Sequence, residues 1–129
     1  MKKKKPTILI VEDEDVLIEL LRGTLEHHGF SVITTQDGAE GIRIYQERVK
    51  EIDVVLTDMG LPSRGGWEVL EEVRKINPDA QVICASGFLE SSIREEMIAA
   101  GAAEFIQKPY VYTALIALIE SLLSHHSSR

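Results

Sequence analysis

Cysteine is nearly absent from this chain: 129 residues hold one, Cys84, so an internal disulfide is excluded and no CxxC or Cys/His set exists for a structural zinc site. Any metal chemistry must use oxygen ligands, and a reducing, cytoplasmic setting is the expectation. Basic residues are also in deficit. Fourteen Lys and Arg face 21 Asp and Glu, giving a net charge of −7 and a pI near 5.1, which disfavours attraction to nucleic-acid phosphates or an anionic membrane. No apolar run approaches the roughly 20 residues of a membrane-spanning helix. Lys2 to Lys5 precede Pro6 and a short strand-like run, without the longer apolar region of a signal peptide. What remains, 44% hydrophobic and 27% charged, is ordinary for one soluble globular domain. The expected core spans about 6–123, and the polar stretch Ser124 to Arg129 reads as a disordered tail.

Apolar runs of strand length alternate with stretches of helical period, the mark of βα units around a parallel sheet. The expected strands are Thr7 to Val11, Ser31 to Thr35, Asp53 to Thr57, Gln81 to Ala85 and Glu104 to Gln107. The first, third and fourth are rich in Ile, Val and Leu, as strands covered on both faces are. Leu17, Leu20, Leu21, Leu25 and His28 form the expected stripe of the first helix, with Gly29 as a left-handed C-cap. Asp37 followed by Glu40 has the spacing of a capping box at the second helix. Trp67, Leu70, Val73 and Ile76 make the stripe of the third, ended by Asn77 and Pro78. A shorter fourth helix, Ser91 to Ala100, should turn Ile93, Met97 and Ile98 inward before Gly101. The fifth carries Leu115, Leu118, Ile119 and Leu122.

In open parallel sheets, ligands sit at the carboxyl ends of the strands beside the point where strand order reverses; 2-1-3-4-5 is one common order, with that point between the first and third strands. Glu12, Asp13, Glu14 and Asp15 follow the first strand, Asp58 the third, Ser86 and Gly87 the fourth, and Lys108 and Pro109 the fifth. Taken singly, each has an ordinary explanation: acids at a helix start, turn residues, a surface lysine. Together they converge on one edge. Adjacent first and third strands bring Asp13 and Asp58 close, and like charges there require a proton or a cation between them. All-oxygen ligands with room for water suit Mg²⁺. A central Asp58 among Mg²⁺, Lys108 and the Ser86 hydroxyl is a device for phosphoryl transfer to a carboxylate, with Asp13 better placed as a pure metal ligand.

These residues resemble the receiver domain of two-component response regulators (CheY-like), over essentially the full length. The likeness lies in Val11-Glu12-Asp13, in Thr57-Asp58-Met59-Gly60-Leu61-Pro62 with Gly65-Gly66 beyond, in Ala85-Ser86-Gly87, and in Gly101-Ala102 through Phe105 to Lys108-Pro109. The resemblance implies an α/β, doubly wound, flavodoxin-like fold: a five-stranded parallel sheet of order 2-1-3-4-5 with five helices. It implies that Asp58 accepts a phosphoryl group from a histidine kinase or histidine phosphotransfer protein. Asp13, Asp58 and the Gly60 carbonyl would ligate Mg²⁺, with Glu12 helping through water. Lys108 would pair with the phosphorylated Asp58, and a cis bond before Pro109 would aim it. Ser86 would move to bond the phosphoryl group and Phe105 would turn inward, altering the face of the fourth helix, fifth strand and fifth helix for an output protein or a second copy. Such a domain is a phosphoacceptor with at most self-phosphorylation and self-dephosphorylation activity.

The chain departs from the family's usual pattern in three places. Ser86 stands where Thr is frequent, which removes a methyl between phosphorylation and the aromatic. Gly60 puts no side chain two residues after Asp58, while Phe88 stands where it shields the same path for water. Glu12 replaces an Asp, a common variant. Other readings are an aspartate-based phosphatase of haloacid-dehalogenase type, opposed by the missing acid at Gly60; a flavodoxin-like cofactor carrier, opposed by the acids at Glu12 to Asp15; and a phosphorylation-independent docking receiver, opposed by the complete acidic, Ser and Lys set. Tyr110, Tyr112 and the fourth-helix surface are candidate partner contacts. Cys84 reads as a small buried hydrophobe. Ending soon after the fifth helix, the chain reads as a stand-alone regulator or a piece of a hybrid sensor kinase.

Overall fold

A computed structural model of the chain describes residues 5–62, 65–87 and 90–127, with side chains as far as Ser124. Strands and helices alternate: β1 (Thr7–Val11), α1 (Asp15–His27), β2 (Ser31–Thr35), α2 (Gly38–Glu47), β3 (Val54–Asp58), α3 (Gly65–Ile76), β4 (Val82–Ser86), α4 (Ser91–Ala99), β5 (Glu104–Gln107) and α5 (Tyr112–Ser127). Every paired strand is parallel, and the sheet order is β2-β1-β3-β4-β5, the doubly wound α/β arrangement expected. The order reverses between β1 and β3, so their carboxyl ends flank the crevice that such sheets use for ligands.

Alternation along the strands divides the core between two layers. Leu9, Val11, Val55, Val82 and Cys84 face Tyr45 of α2, Val69, Leu70 and Val73 of α3, and Met97 of α4. Ile8, Ile10, Val54, Leu56, Ile83 and Ala85 face Leu21 and Leu25 of α1 and Leu115 and Ile119 of α5. All of β1 and β3 is buried, in keeping with the apolar runs Ile8 to Val11 and Val54 to Leu56. Each fully buried Leu or Ile contributes on the order of 2 kcal/mol relative to exposure. Glycine closes two helices as expected, at Gly29 (φ 97°) and Gly101 (φ 104°), a backbone region disfavoured for residues with a Cβ.

Several local expectations are corrected. β3 and β4 begin and end one residue later than expected, so Asp58 and Ser86 are the last residues of their strands. The buried line of α1 is Ile18, Leu21 and Leu25; Leu20 is 53% exposed, and exposed His28 pairs with Glu120 of α5 at 3.4 Å. No capping box forms at α2. The Glu40 carboxylate instead accepts the Thr35 hydroxyl, and the Asp37 amide donates to Thr35 Oγ1 at 3.2 Å. Ile98 on α4 is 58% exposed, leaving Met97 as that helix's buried residue. Helix α5 runs through Ser127, into the stretch read as a disordered tail, of which 128–129 lie outside the described residues.

Candidate functional site

The site is built at the carboxyl ends of β1, β3, β4 and β5. The Glu12 amide donates to the Thr35 carbonyl at 3.0 Å, which prolongs the β1–β2 ladder by one residue and holds Glu12 in the crevice, 1% exposed. Asp13, next in the chain, is exposed. Asp58 ends β3 and is 6% exposed; the Gly60 amide donates to its Oδ1 at 2.9 Å, an Asx-type turn that fixes the carboxylate. Met59 and Leu61, both buried, anchor this turn, and the Met59 amide donates to the Ala85 carbonyl at 2.8 Å. Carboxylate oxygens of Glu12, Asp13 and Asp58 lie within 4.8 Å of one another.

Lys108 enters from the far edge. Its Nζ donates to Glu12 Oε1 at 3.1 Å and lies 3.4 Å from Asp58 Oδ2. The peptide bond before Pro109 is cis, as expected, and the Lys108 amide donates to the Ser86 carbonyl at 2.9 Å, tying the end of β5 to that of β4. Burial holds the Glu12 carboxyl above its usual range, with the Asp58 charge adding to the rise and Lys108 opposing it. For Lys108, burial alone would lower the ammonium's pKa, but the bonds and charges of Glu12 and Asp58 outweigh it and the net direction is up. Among the described residues one ammonium, in contact with Glu12 and Asp58, therefore stands within a cluster of three carboxylates. The remaining negative charge, carried entirely by hard oxygen donors and partly exposed through Asp13, fits a small dication such as Mg²⁺.

Glycine permits a close approach behind the site. A Cβ on Gly66, at the start of α3, would lie 2.2 Å from the Asp58 carbonyl oxygen and 2.7 Å from Met59 Cα. The missing side chain lets α3 lie directly on the backbone that carries Asp58. Gly60 differs: a Cβ there meets Asp58 Oδ1 at 3.4 Å, ordinary contact, so the turn itself does not demand glycine.

Ser86, half-buried, ends β4, and Phe105 lies one strand over, half-buried on the layer of α3 and α4. The Arg94 guanidinium carbon of α4 sits 5.4 Å from the Phe105 ring centroid. The structure thus brings Glu12, Asp13, Asp58, Gly60, Ser86 and Lys108 to one rim, with Phe105 in the adjoining layer. Phe88 lies outside the described residues. Burial pushes the Cys84 thiol up to about 12, consistent with a packing role.

Three features go beyond what the sequence showed: the reason Gly66 must lack a side chain, the Arg94 contact, and a groove of about 520 Å³ running from Lys108 between α1 and the start of α5, on which the candidate contacts Tyr110 and Tyr112 lie. The groove is lined by Val16, Leu17, Leu20, Tyr110 and Tyr112, and Val16 is 70% exposed. Tyr110 is held there as the neutral phenol, its pKa raised by burial and then by the charges of Glu12 and Asp58.

Residues 8–120 match the response regulator receiver domain family. The transcriptional regulatory protein PrrA of Mycobacterium tuberculosis is 34% identical over 95% of this chain and 52% of its own length. The sensor kinase CckA of Brucella abortus is 31% identical over 91% of this chain and 12% of its own. The chain thus spans about half, or much less, of these curated relatives. Among solved structures, a response regulator receiver domain protein from Clostridium thermocellum superimposes with a TM-score of 0.89 at 31% identity, covering 95% of this chain and 97% of that one. A CheX-CheY-BeF3-Mg complex from Borrelia burgdorferi gives 0.86 at 26% identity, covering 92% and 89%. With its fold, strand order and most of its length in agreement, the chain belongs to the response regulator receiver domain family of two-component signalling.

Proposed function

We propose that this domain takes a phosphoryl group onto Asp58 from a phosphohistidine of a histidine kinase or histidine phosphotransfer protein, with Mg²⁺. The observation that carries this reading is the contact of a single ammonium, Lys108, with both Glu12 and Asp58 inside a cluster of three carboxylates. Asp13, Asp58 and the Gly60 carbonyl would hold Mg²⁺, with Glu12 acting from behind. When bound, the ion supplies positive charge to an equatorial phosphoryl oxygen and offsets the carboxylates' mutual repulsion.

The residues' own parts follow from their positions. An Asp58 oxygen attacks phosphorus as the P–N bond breaks, and the electron pair leaves with the imidazole, which takes a proton. The Gly60 amide fixes the other Asp58 oxygen and so aims the attack. Lys108 covers a second phosphoryl oxygen, and the Ser86 hydroxyl, at the end of the neighbouring strand, reaches another. Ser86 and Phe105 would then convert phosphorylation into a changed α4-β5-α5 face, open to an output protein or a second copy. The groove beside Lys108, with exposed Val16 and Leu20 on its wall, is where we place the phosphodonor's contact. We read the domain as cytoplasmic, either stand-alone or as one segment of a larger signalling protein; among the described residues no helix is long and apolar enough to cross a membrane.

The test is labelling of the purified chain by a radioactive small phosphodonor with Mg²⁺. Label that is released by hydroxylamine, as an acyl phosphate is, and lost in Asp58→Asn supports the reading; label that survives in Asp58→Asn contradicts it. Mg²⁺-dependent hydrolysis of a phosphomonoester through Asp58 would favour the phosphatase alternative, which the absence of an acid at Gly60 argues against.

A further inference from the structure

We infer that Arg94 is a positioning residue that holds the Phe105 ring in its resting orientation and so sets how readily the domain switches. The inference rests on the proposed Ser86 and Phe105 switch and goes beyond it by naming the group that opposes it. The Arg94 guanidinium carbon stands 5.4 Å from the Phe105 ring centroid, within the range of a cation–π contact. The two residues belong to elements that otherwise hold each other weakly. Helix α4 buries one residue, Met97, and β5 is an edge strand whose Phe105 is half-buried.

The ring's neighbours on the sheet are small. Its register partner across the sheet is the small Cys84, whose own partner on β3 is Thr57. Toward the phosphoacceptor, β4 ends in Ser86, and at Gly87, the next residue, an added Cβ would meet no atom of the described residues within 4 Å beyond its chain neighbours. The residues beside Phe105 on the way to the phosphoacceptor, Cys84 and Ser86, are thus small. A ring that turns toward Ser86 leaves the guanidinium. The contact belongs to one of two orientations only, and an interaction made in one state shifts a two-state equilibrium by its own free energy. At an exposed site a cation–π pair is worth a change of about two- to fivefold in that equilibrium. Ser86 lacks the methyl that a Thr would add between hydroxyl and ring, so in this chain the Arg94 contact restrains the aromatic in its place.

The test uses the full chain labelled with 4-fluorophenylalanine, with the Phe105 resonance assigned through Phe105→Leu. Fluorine NMR without phosphodonor then reads the ring populations in wild type, Arg94→Ala, Arg94→Met and Arg94→Lys. Arg94→Met keeps an apolar stem over the ring and removes the charge. The inference predicts that Ala and Met variants raise the minor ring population by about two- to fivefold while Lys restores much of the wild-type ratio. Unchanged populations in Ala and Met, or one ring environment in every variant, overturn it. The readout needs no phosphorylation, so failure of Asp58 to accept phosphate would sink the functional reading without deciding this one. If both hold, the Ala and Met variants also take phosphate from acetyl phosphate faster by a similar factor.

Discussion

Lys108 Nζ lies 3.1 Å from Glu12 Oε1, although 96 positions separate the two residues in sequence. The parallel sheet makes this contact: Glu12 stands past the end of β1 and Lys108 past the end of β5, and both strand ends point to the same rim. The same ammonium reaches Asp58 at 3.4 Å, so Lys108 offsets part of the cluster's charge before any ligand arrives.

Replacing Lys108 should therefore affect two quantities differently. Lys108→Met is expected to slow phosphorylation of Asp58 by about a hundredfold, the usual cost of losing one preorganised charge at a transition state. Mg²⁺ affinity, measured by titration calorimetry, should change far less or rise, because the carboxylates lose their competing cation. A variant phosphorylated at the wild-type rate would remove Lys108 from the chemistry.

Asp58→Asn should stabilise the metal-free protein by about 1 kcal/mol, since it removes one of three crowded carboxylates while an Asn oxygen still accepts the Gly60 amide. The pH dependence has a definite sign. Glu12 has its folded-state pKa raised, by burial first and Asp58 second, so the folded state binds the proton more tightly. Its contribution therefore makes metal-free stability rise as pH falls from neutral toward the unfolded carboxyl range near 4.5. Urea unfolding across this range should show a smaller rise in Asp58→Asn, and saturating Mg²⁺ should flatten it in wild type. A metal-free Asp58→Asn protein less stable than wild type at neutral pH would contradict this electrostatic account.

Thr57 carries a buried hydroxyl with no hydrogen-bond partner among the described residues. Thr57→Val keeps the shape and removes the orphaned polar group, so it should raise stability by about 1 kcal/mol in denaturant unfolding. A loss of stability would mean that the hydroxyl is bonded in solution, for example through a buried water.

Gly66→Ala should destabilise the domain by about 1–3 kcal/mol, as overpacking does, because the new methyl meets the Asp58 carbonyl oxygen at 2.2 Å unless the backbone shifts. It should also weaken Mg²⁺ binding, since the shift moves the turn bearing Asp58. Unchanged stability and affinity in the same calorimetric and unfolding measurements would show that α3 can retreat without cost.

The βα alternation, the sheet composition and the residues converging on one rim were all legible in the sequence, because strand runs and the acids that follow them are contiguous signals. The strand ends were less so. Asp58 and Ser86 read as loop residues by type, yet their backbones continue the ladder, with Asp58 opposite Ala85 and Ser86 opposite Gln107. In α1 the run Val16 to Leu21 is apolar on nearly every side, so periodicity alone could not decide that Ile18 is buried and Leu20 exposed. The Asp37 and Glu40 spacing matched a cap, but Thr35 at the end of β2 lies nearer and takes both bonds. Contacts such as Arg94 on Phe105 depend on how α4 lies against the edge strand, which pattern along the chain does not encode.

The most direct test of the central claim is intact mass spectrometry after incubation with acetyl phosphate and Mg²⁺, followed by peptide mapping. The account predicts the added mass of one phosphoryl group, located on Asp58, dependent on Mg²⁺ and absent from Asp58→Asn. No added mass in the wild-type protein, or the same added mass in Asp58→Asn, would contradict it.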